Sequence, residues 1–420
     1  MSQQSCTAID RAAGVFGVDG SVLAQLVPIE WVRQVLAEAQ VLSRTRRTSA
    51  VAGVYLVLAL TLFPKVSTTG VFEKLSGRWG RPGAQVPSAA SWKPRRAGLG
   101  ETPFRLLFHR LRSAAAEVPG ARWAGLLVCA WDGTTVQVPD NTDNAAAFGK
   151  KACHSGTGPF PLVQILVLVA CGSRALIDAV FDGVGVGENT LARRLIASLR
   201  SGMLLLADRG FTDYALWCDS AGTGAELLWR IRRDVGLHIC QALPDGSALA
   251  WWRIPKAVRL AHGHRLPPEV LVRVVSGWVG VVDERGVHRG EPYRLLTTLT
   301  DHQAYPAAEI VRCYGRRWQV ELAIKGLKTV QGATRLRSRT PEGVRQEMWA
   351  WLVTHQLLRL QAACAADQAA GPGPAEIRQI SFTTLVRRLG EAVILTGGGR
   401  NDAAATLATL QQATAEDITP

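Results

Sequence analysis

Tyr314, Arg317, Glu321 and Lys328 stand at offsets of 0, 3, 7 and 14 along one stretch of the chain. On a helix turning about 100° per residue, all four fall within an arc of roughly 60°. Lys325 lies at the edge of that arc. Apolar positions border it, with Cys313, Val320, Ile324 and Leu327 on one side and Val311, Trp318 and Leu322 on the other. Arg312, Arg316 and Gln319 occupy the far side, where a solvated face is expected. A carboxylate set among cationic and hydroxyl groups between apolar borders suits chemistry on a phosphate. The plainer alternative is an exposed Arg317–Glu321 pair at i,i+4, which is common and contributes only tenths of a kcal/mol.

Two more acids occupy positions where metal ligands are common. Asp208 follows the apolar run Met203 to Ala207 and precedes Arg209-Gly210-Phe211, so it sits at the carboxyl end of an expected buried strand. Asp132 follows Leu126 to Trp131 and opens Asp132-Gly133-Thr134-Thr135. A capping or turn aspartate is the alternative for Asp208, and a hairpin turn at Asp-Gly is the alternative for Asp132. Taken together, three carboxylates offer the hard oxygen donors that Mg²⁺ or Mn²⁺ prefers. Two such ions can activate an attacking oxygen and stabilise a leaving one. Asp140 and Glu188 are the substitutes if Asp132 proves to be a turn residue.

The elements that must position these acids follow from pattern. Residues 1 to about 120 are expected to be helical, with apolar helical spacing over Val22 to Ala39 and a buried helix over Ser49 to Phe63 stopped by Pro64. Arg44, Arg46 and Arg47 precede that helix, and Lys74, Arg78, Arg81, Lys93, Arg95 and Arg96 follow it, interleaved with Trp79 and Trp92. This segment reads equally as a DNA-docking module or as a helical domain with ordinary surface charge. From Ala124, strands are expected at Leu126–Trp131, Thr134–Val138, Pro161–Ala170 and Ala175–Phe181. A helix over Asn189–Arg200, with Asn189 as its cap, then precedes a strand at Met203–Ala207. A second helix over Thr212–Ser220 and a strand at Leu227–Arg232 follow. β-like segments recur at His238–Ala242, Ala250–Ile254, Val270–Val282 and Tyr293–Leu299. Helix returns at Pro306 and again from about Val344 to Ala366, before Gly371-Pro372-Gly373-Pro374 and an alanine-rich helical tail.

Composition points to a polyanionic partner. The 420 residues carry 48 Lys and Arg against 34 Asp and Glu, a formal charge of +14, and only eight of the basic residues are lysine. Arginine holds phosphate through a planar fork, although genome base composition can also produce this bias. The eight cysteines show no C-x-x-C or zinc-like pairing, which fits a reducing compartment. The longest apolar stretch, Val51 to Phe63, is too short to span a bilayer, and no signal peptide is expected at the start.

The spacing Tyr314-x2-Arg317-x3-Glu321-x6-Lys328 resembles, without a gap, the signature of the insertion-sequence-4 family of DDE transposases. Trp131-Asp132-Gly133-Thr134-Thr135 is similar to that family's first-aspartate motif, and Ala207-Asp208-Arg209-Gly210-Phe211 to its second. Pro139-Asp140 and Asn144-Ala145-Ala146-Ala147-Phe148-Gly149 also resemble a stretch its members carry. The likeness covers roughly residues 10 to 365, including the Arg46-Arg47 segment.

The resemblance implies an α/β protein with an RNase H-like mixed-sheet core, a β-rich insertion and a helical N-terminal domain. The expected partition is 1–120 N-terminal DNA-binding, 121–232 first part of the core, 233–300 insertion, 301–368 second part of the core, and 369–420 linker and tail. The 113 residues between Asp208 and Glu321 (321 − 208) leave room for the insertion. By the same resemblance, Asp132, Asp208 and Glu321 bind two Mg²⁺ ions, with Mn²⁺ able to substitute. The expected activity is cut-and-paste transposition, with hydrolytic cleavage at the element's ends and joining of the 3′-OH ends to target DNA. Tyr314, Arg317, Lys325, Lys328, Trp318, Arg46 and Arg47 are the expected DNA contacts, and Trp318, Trp251, Trp252 and Trp278 the candidates for stacking a flipped base. The expected partners are double-stranded DNA, as terminal repeats and target, and a second copy of the chain in a paired-end complex. No membrane is involved, and the expected location is the bacterial cytoplasm, at the nucleoid. A structure-selective nuclease on the same fold, or an inactive DNA-binding derivative, are the competing readings.

Overall fold

The computed structural model describes residues 22–41, 50–76, 89–153, 156–282, 288–368, 380–396 and 402–416. Arg44, Arg46, Arg47, Arg78, Trp79, Arg81 and the Gly371–Pro374 segment lie outside them, as do the side chains of Lys74 and Trp278.

Among the described residues, the first elements are the helices α1 (Val22–Leu26), α2 (Ile29–Glu38), α3 (Ala50–Leu62), α4 (Thr68–Ser76), α5 (Ala89–Leu99) and α6 (Thr102–Leu111). Pro28 divides the expected Val22–Ala39 helix, because proline lacks the N–H a helix interior requires. A short β1 (Arg122–Trp123) precedes β2 (Leu126–Gln137), α7 (Thr142–Phe148), β3 (Lys150–Cys153), β4 (Gly156–Ala170) and β5 (Leu176–Gly183). Next come α8 (Glu188–Leu195), β6 (Met203–Ala207), α9 (Tyr214–Ala221) and β7 (Glu226–Ile231). Then follow β8 (His238–Ala242), β9 (Ala248–Arg253), α10 (Lys256–His262), β10 (Glu269–Val282) and β11 (His288–Thr297). The chain ends with α11 (Ala307–Tyr314), α12 (Trp318–Lys325), α13 (Pro341–Gln368), α14 (Phe382–Thr396) and α15 (Ala403–Glu416). Among the described residues no helix is long and apolar enough to cross a membrane.

The chain divides into two compact units, one of residues 1–115, 136–163 and 324–420 and the other of residues 116–135 and 164–323. In the first, α13 is buried along most of its length and packs against α3, α6 and α15. The helix α3 is apolar all round and buried on all sides, as a helix without a polar face must be. The motif around Asn144 is structural here. Asn141 caps α7 by accepting from the Asn144 N–H at 2.9 Å, and the Asn144 amide donates to the carbonyls of Pro139 and Ser338. Arg96 is likewise engaged inside this unit, donating to Gln346 Oε1 at 2.7 Å and Ser338 Oγ at 2.8 Å.

The second unit is built on a mixed sheet. β2, β6 and β7 run parallel, in registers that pair Leu127 with Met203 and Leu204 with Glu226. β11 then pairs antiparallel with β7, and β10, β9 and β8 continue outward, so the strands of the 233–300 interval extend the same sheet. One face is covered by α8 and α9. The core there brings Trp131 to within 5.4 Å of Phe211 and 5.8 Å of Trp229, ring to ring. Trp252 belongs to the same core, edge-on to Tyr214 at 5.1 Å.

The start of α11 is set by a buried ion pair. Arg273, on β10, is fully buried, pairs with Asp245, and donates to the Tyr305 carbonyl at 2.7 Å and Ser247 Oγ at 2.9 Å. Asp245 Oδ2 also accepts from the Ala307 N–H at 2.9 Å, one of the otherwise unsatisfied donors at a helix N-terminus. Removing one partner of a buried pair leaves the other charge uncompensated, typically at 3–5 kcal/mol. Arg273→Met is therefore expected to lower unfolding free energy by about 3–5 kcal/mol in urea denaturation, whereas a loss under 1 kcal/mol would assign the pair no anchoring role.

Candidate active site

Asp132 stands inside β2, which runs unbroken through Asp132-Gly133 with no hairpin turn. Glycine at 133 lets the ends of two side chains approach the strand closely. A Cβ there would lie 2.3 Å from Glu188 Oε1 and 3.2 Å from Gln164 Nε2. The β2–β6 register offsets partners by 76 residues, as in Leu127 with Met203 and Ala130 with Leu206. Carried two residues further, the same offset sets Asp132 beside Asp208 (132 + 76), one strand spacing away and on the same face of the sheet. Asp208 leaves β6 into a tight turn in which its Oδ1 accepts from the Gly210 N–H at 2.7 Å. A Cβ at 210 would come within 2.9 Å of that same oxygen.

Glu321 is presented by a segment less regular than the sequence suggested. α11 passes through a 3₁₀ turn at Gly315–Arg317 into α12, and a π-helical turn follows at Gly326–Val330. Glycine at 315 favours such a break, having the weakest helix propensity apart from proline. A constant 100° per residue therefore does not describe Tyr314 to Lys328. Arg317 and Glu321 still meet, with Nη2 donating to Oε1 at 2.6 Å, and the guanidinium also lies 4.0 Å from Asp132 Oδ2. Arg317 is mostly buried. Burial works against its charge, but Tyr314, Glu321 and Asp132 outweigh that and raise its pKa.

The flanks of this segment differ in two respects from expectation. Of the apolar borders, Cys313, Val320 and Leu327 are buried, but Val311 and Leu322 are only half-buried and Trp318 is 56% exposed. On the supposed solvated side, Arg316 donates to the Gly120 carbonyl at 3.2 Å and Gln319 accepts from Arg174 Nε at 2.8 Å. Those two side chains tie the segment to loops of its own unit, and Arg312, paired with Glu309, alone fits the expectation.

The other candidates divide as follows. Tyr314 is buried, its ring 5.9 Å from that of Tyr293, and its hydroxyl donates to the Ala207 carbonyl at 3.2 Å, at the strand end that carries Asp208. Lys325 and Lys328 belong to the other compact unit, Lys325 exposed and Lys328 half-buried on the π turn. Asp140 also belongs to that unit and pairs with Lys150 at 2.9 Å. Glu188 lies in the unit of the triad, its Oε1 accepting from Gln164 Nε2 at 3.0 Å. Of the tryptophans proposed for stacking, Trp252 is core, Trp251 is half-buried and Trp318 is open to solvent.

The charges of Asp208 and Glu321 both act on Asp132. Burial pushes the Asp132 carboxyl up to about 6; the Gly133 N–H and Arg317 pull it back, and the charges of Asp208 and Glu321 raise it further. Among the described residues no three Asp, Glu, His or Cys side chains converge closely enough to cage an ion. The donor set nevertheless suits Mg²⁺ or Mn²⁺, being all carboxylate, mutually repelling and already holding a cationic group, Arg317, between two of its members.

Residues 123–357, more than half the chain, match the family described as "Transposase DDE domain", and residues 18–109 match "Insertion element 4 transposase N-terminal". This chain belongs to the insertion-sequence-4 family of DDE transposases. It is 29% identical over 270 residues to "Transposase InsG for insertion sequence element IS4" of Escherichia coli (strain K12), covering 63% of this chain and 58% of that protein. It is 23% identical over 252 residues to "Putative transposase InsZ" of the same organism, covering 57% of this chain and 80% of that protein. The alignment with InsG thus spans less than two thirds of that relative's length. The mixed sheet with its flanking helices, preceded by a helical region, accords with the RNase H-like fold of such transposases.

The raised Asp132 value has a consequence for stability. A carboxyl with pKa near 6 when folded and 3.8 when unfolded binds its proton more tightly in the folded protein. Its contribution is most favourable below pH 3.8, is lost as pH rises through the 3.8–6 window, and above it leaves an ionised group disfavoured by about 3 kcal/mol. Asp132→Asn, with EDTA present, is therefore expected to raise the melting temperature at pH 8 and to change it much less at pH 4. A lower melting temperature at pH 8 would contradict the assignment of Asp132 as a strained, desolvated acid.

Proposed function

We propose that this transposase binds the ends of its insertion element, cleaves them by metal-dependent hydrolysis and joins the freed 3′-OH ends to target DNA. The observation that carries this reading is the placement of Asp132 and Asp208 side by side on parallel strands, with Glu321 facing them across Arg317. Asp132, Asp208 and Glu321 hold two divalent ions, Mg²⁺ with Mn²⁺ able to substitute. When bound, these ions supply Lewis-acid activation of the attacking oxygen and charge stabilisation of the leaving one.

The remaining groups prepare the acids and the DNA. Arg317 balances Glu321 and Asp132 in the free protein and is within reach to contact phosphate once other positive charge relieves it of that role. Tyr314 holds the end of β6, and so the backbone of Asp208, through its bond to Ala207. Lys325 and Lys328 contact the backbone as point charges, and exposed Trp318 is the tryptophan best suited to stack on a base. Arg46 and Arg47 contact DNA from the N-terminal region. The domain partition deduced from the sequence, an assembly of two copies on paired ends, and action at the nucleoid in the cytoplasm are parts of the same proposal.

The test is cleavage of a labelled terminal-repeat duplex in Mg²⁺ by wild type, Asp208→Ala and Glu321→Ala. Metal-dependent nicking and joining by the wild type, abolished in both variants while DNA binding persists, is the expected result. Equal activity in the variants would remove the triad from the mechanism. Nicking without joining would favour a nuclease on this fold.

A further inference from the structure

Lys328, the last residue of the signature, stands on the π-helical turn Gly326–Val330. The turn closes where the Gln331 N–H donates to the Gly326 carbonyl at 3.0 Å. Turns of this width are rare, occur mostly singly within α-helices, and are frequent at functional sites. Such a turn redirects the side chains it carries, so the direction of Lys328 depends on what keeps the turn wide. The Lys328 carbonyl is held as well, accepting from Thr334 Oγ1 at 2.8 Å.

Both α13 and α14, in the same compact unit, pack against this turn. Gln331 is fully buried, and its Oε1 accepts from Nδ1 of buried His355 on α13 at 2.7 Å. The other ring nitrogen, Nε2, accepts from Arg359 Nε at 3.4 Å, one helical turn further along α13. An amide oxygen can only accept and a guanidinium can only donate. These neighbours therefore fix the imidazole as neutral, with its proton on Nδ1. The Arg359 guanidinium, also buried, lies 4.0 Å from the centroid of the Phe382 ring at the start of α14. Both groups crowd Gly326, where a Cβ would lie 3.1 Å from Phe382 Cε1 and 3.2 Å from Arg359 Nη2. Gly326 and Gln331 are the two ends of the π bond, so the network reaches the turn at both of them.

We infer that Gln331, His355 and Arg359 are positioning residues for Lys328: the hydrogen bonds running from Arg359 through His355 to Gln331 keep the π turn wide and so aim the lysine. The DNA contact made by Lys328 rests on the proposed function, whereas the anchoring of its turn does not. Hydrophobic burial is non-directional and would accept either an α or a π turn here. Hydrogen bonds weaken steeply with angle, so they select one of the two. Removing the imidazole leaves the buried Gln331 oxygen without its donor, a cost the chain reduces by letting the turn narrow or open. None of the three side chains has to touch DNA for this.

The experiment is a double-variant cycle on the full chain, measuring binding to a fluorescent terminal-repeat duplex in Ca²⁺ at several salt concentrations. The variants are Lys328→Ala, His355→Leu, the two combined, and His355→Asn, whose amide N–H₂ can replace the Nδ1 donor. Lys328→Ala is expected to make the slope of log K against log salt shallower by about 0.9. His355→Leu should reproduce that change, add nothing to it in the combined variant, and be rescued in His355→Asn. Losses that simply multiply in the combined variant would overturn the inference, because a merely structural defect acts independently of Lys328. Hydrogen exchange supplies a readout that needs no DNA. Amides of residues 326–331 should exchange on the order of tenfold faster in His355→Leu, with α3 still protected. Wild-type protection there would also overturn the inference. Gln331→Met, which removes only the acceptor, takes the place of His355→Leu if that variant does not melt cooperatively. Failure of the proposed function reads differently. An unchanged salt slope in Lys328→Ala, with the exchange difference present, removes the lysine's DNA contact and keeps the anchoring of its turn.

Discussion

Carboxylates carried on adjacent strands and on the helix beside them repel, and the rest of this site follows from how that repulsion is held. Asp132 and Asp208 are fixed by a parallel register that no side chain can relax, and Glu321 comes down on them from a helix. Burial strips water from the Asp132 carboxylate and drives it up to about 6, with the charges of Asp208 and Glu321 adding smaller pushes in the same direction. Arg317 is the counterweight, hydrogen-bonded to Glu321 and 4.0 Å from Asp132. Under the proposed function, a cation entering beside Asp132 relieves the cost of holding that carboxylate ionised.

The fold serves this constraint by anchoring each acid separately. Asp132 keeps its place because β2 continues straight through Gly133, against which Glu188 and Gln164 close. Asp208 is held by the Gly210 N–H and, one residue earlier, by the Tyr314 hydroxyl on Ala207. Glu321 depends on the helical segment that begins where Asp245 receives the Ala307 N–H, and Asp245 is itself held by buried Arg273 on β10. The strands of the 233–300 interval thus do more than extend the sheet. They carry the residue that holds the start of the glutamate segment.

Much of this was legible from residue order. The apolar run before Asp208 marks the end of β6, whereas the run before Asp132 marks only the first half of β2, and the spacing of Arg317 and Glu321 marks neighbours one helical turn apart. Where sequence reasoning fell short, the reasons are physical. Asp-Gly serves equally in a turn or within a strand, and the three-dimensional pairing that carries β2 straight through it decides. Helical angles assume a uniform twist, which the 3₁₀ turn at Gly315 and the π turn after Lys325 break. Arg316 and Gln319 look solvent-facing by angle, yet loops from distant parts of the chain reach them. Trp252 and Trp318 are alike in one dimension; a core forms around the first and leaves the second exposed. Strand register, which sets Asp208 beside Asp132, cannot be read from residue order alone.

The central claim is that these three carboxylates form one cation site, and the most direct measurement is Mn²⁺ binding by titration calorimetry in the presence of a terminal-repeat duplex. The account predicts two ions per chain for the wild type, with weakened or lost binding in both Asp208→Ala and Glu321→Ala variants whose circular dichroism is unchanged. Undiminished Mn²⁺ stoichiometry and affinity in both folded variants would contradict it.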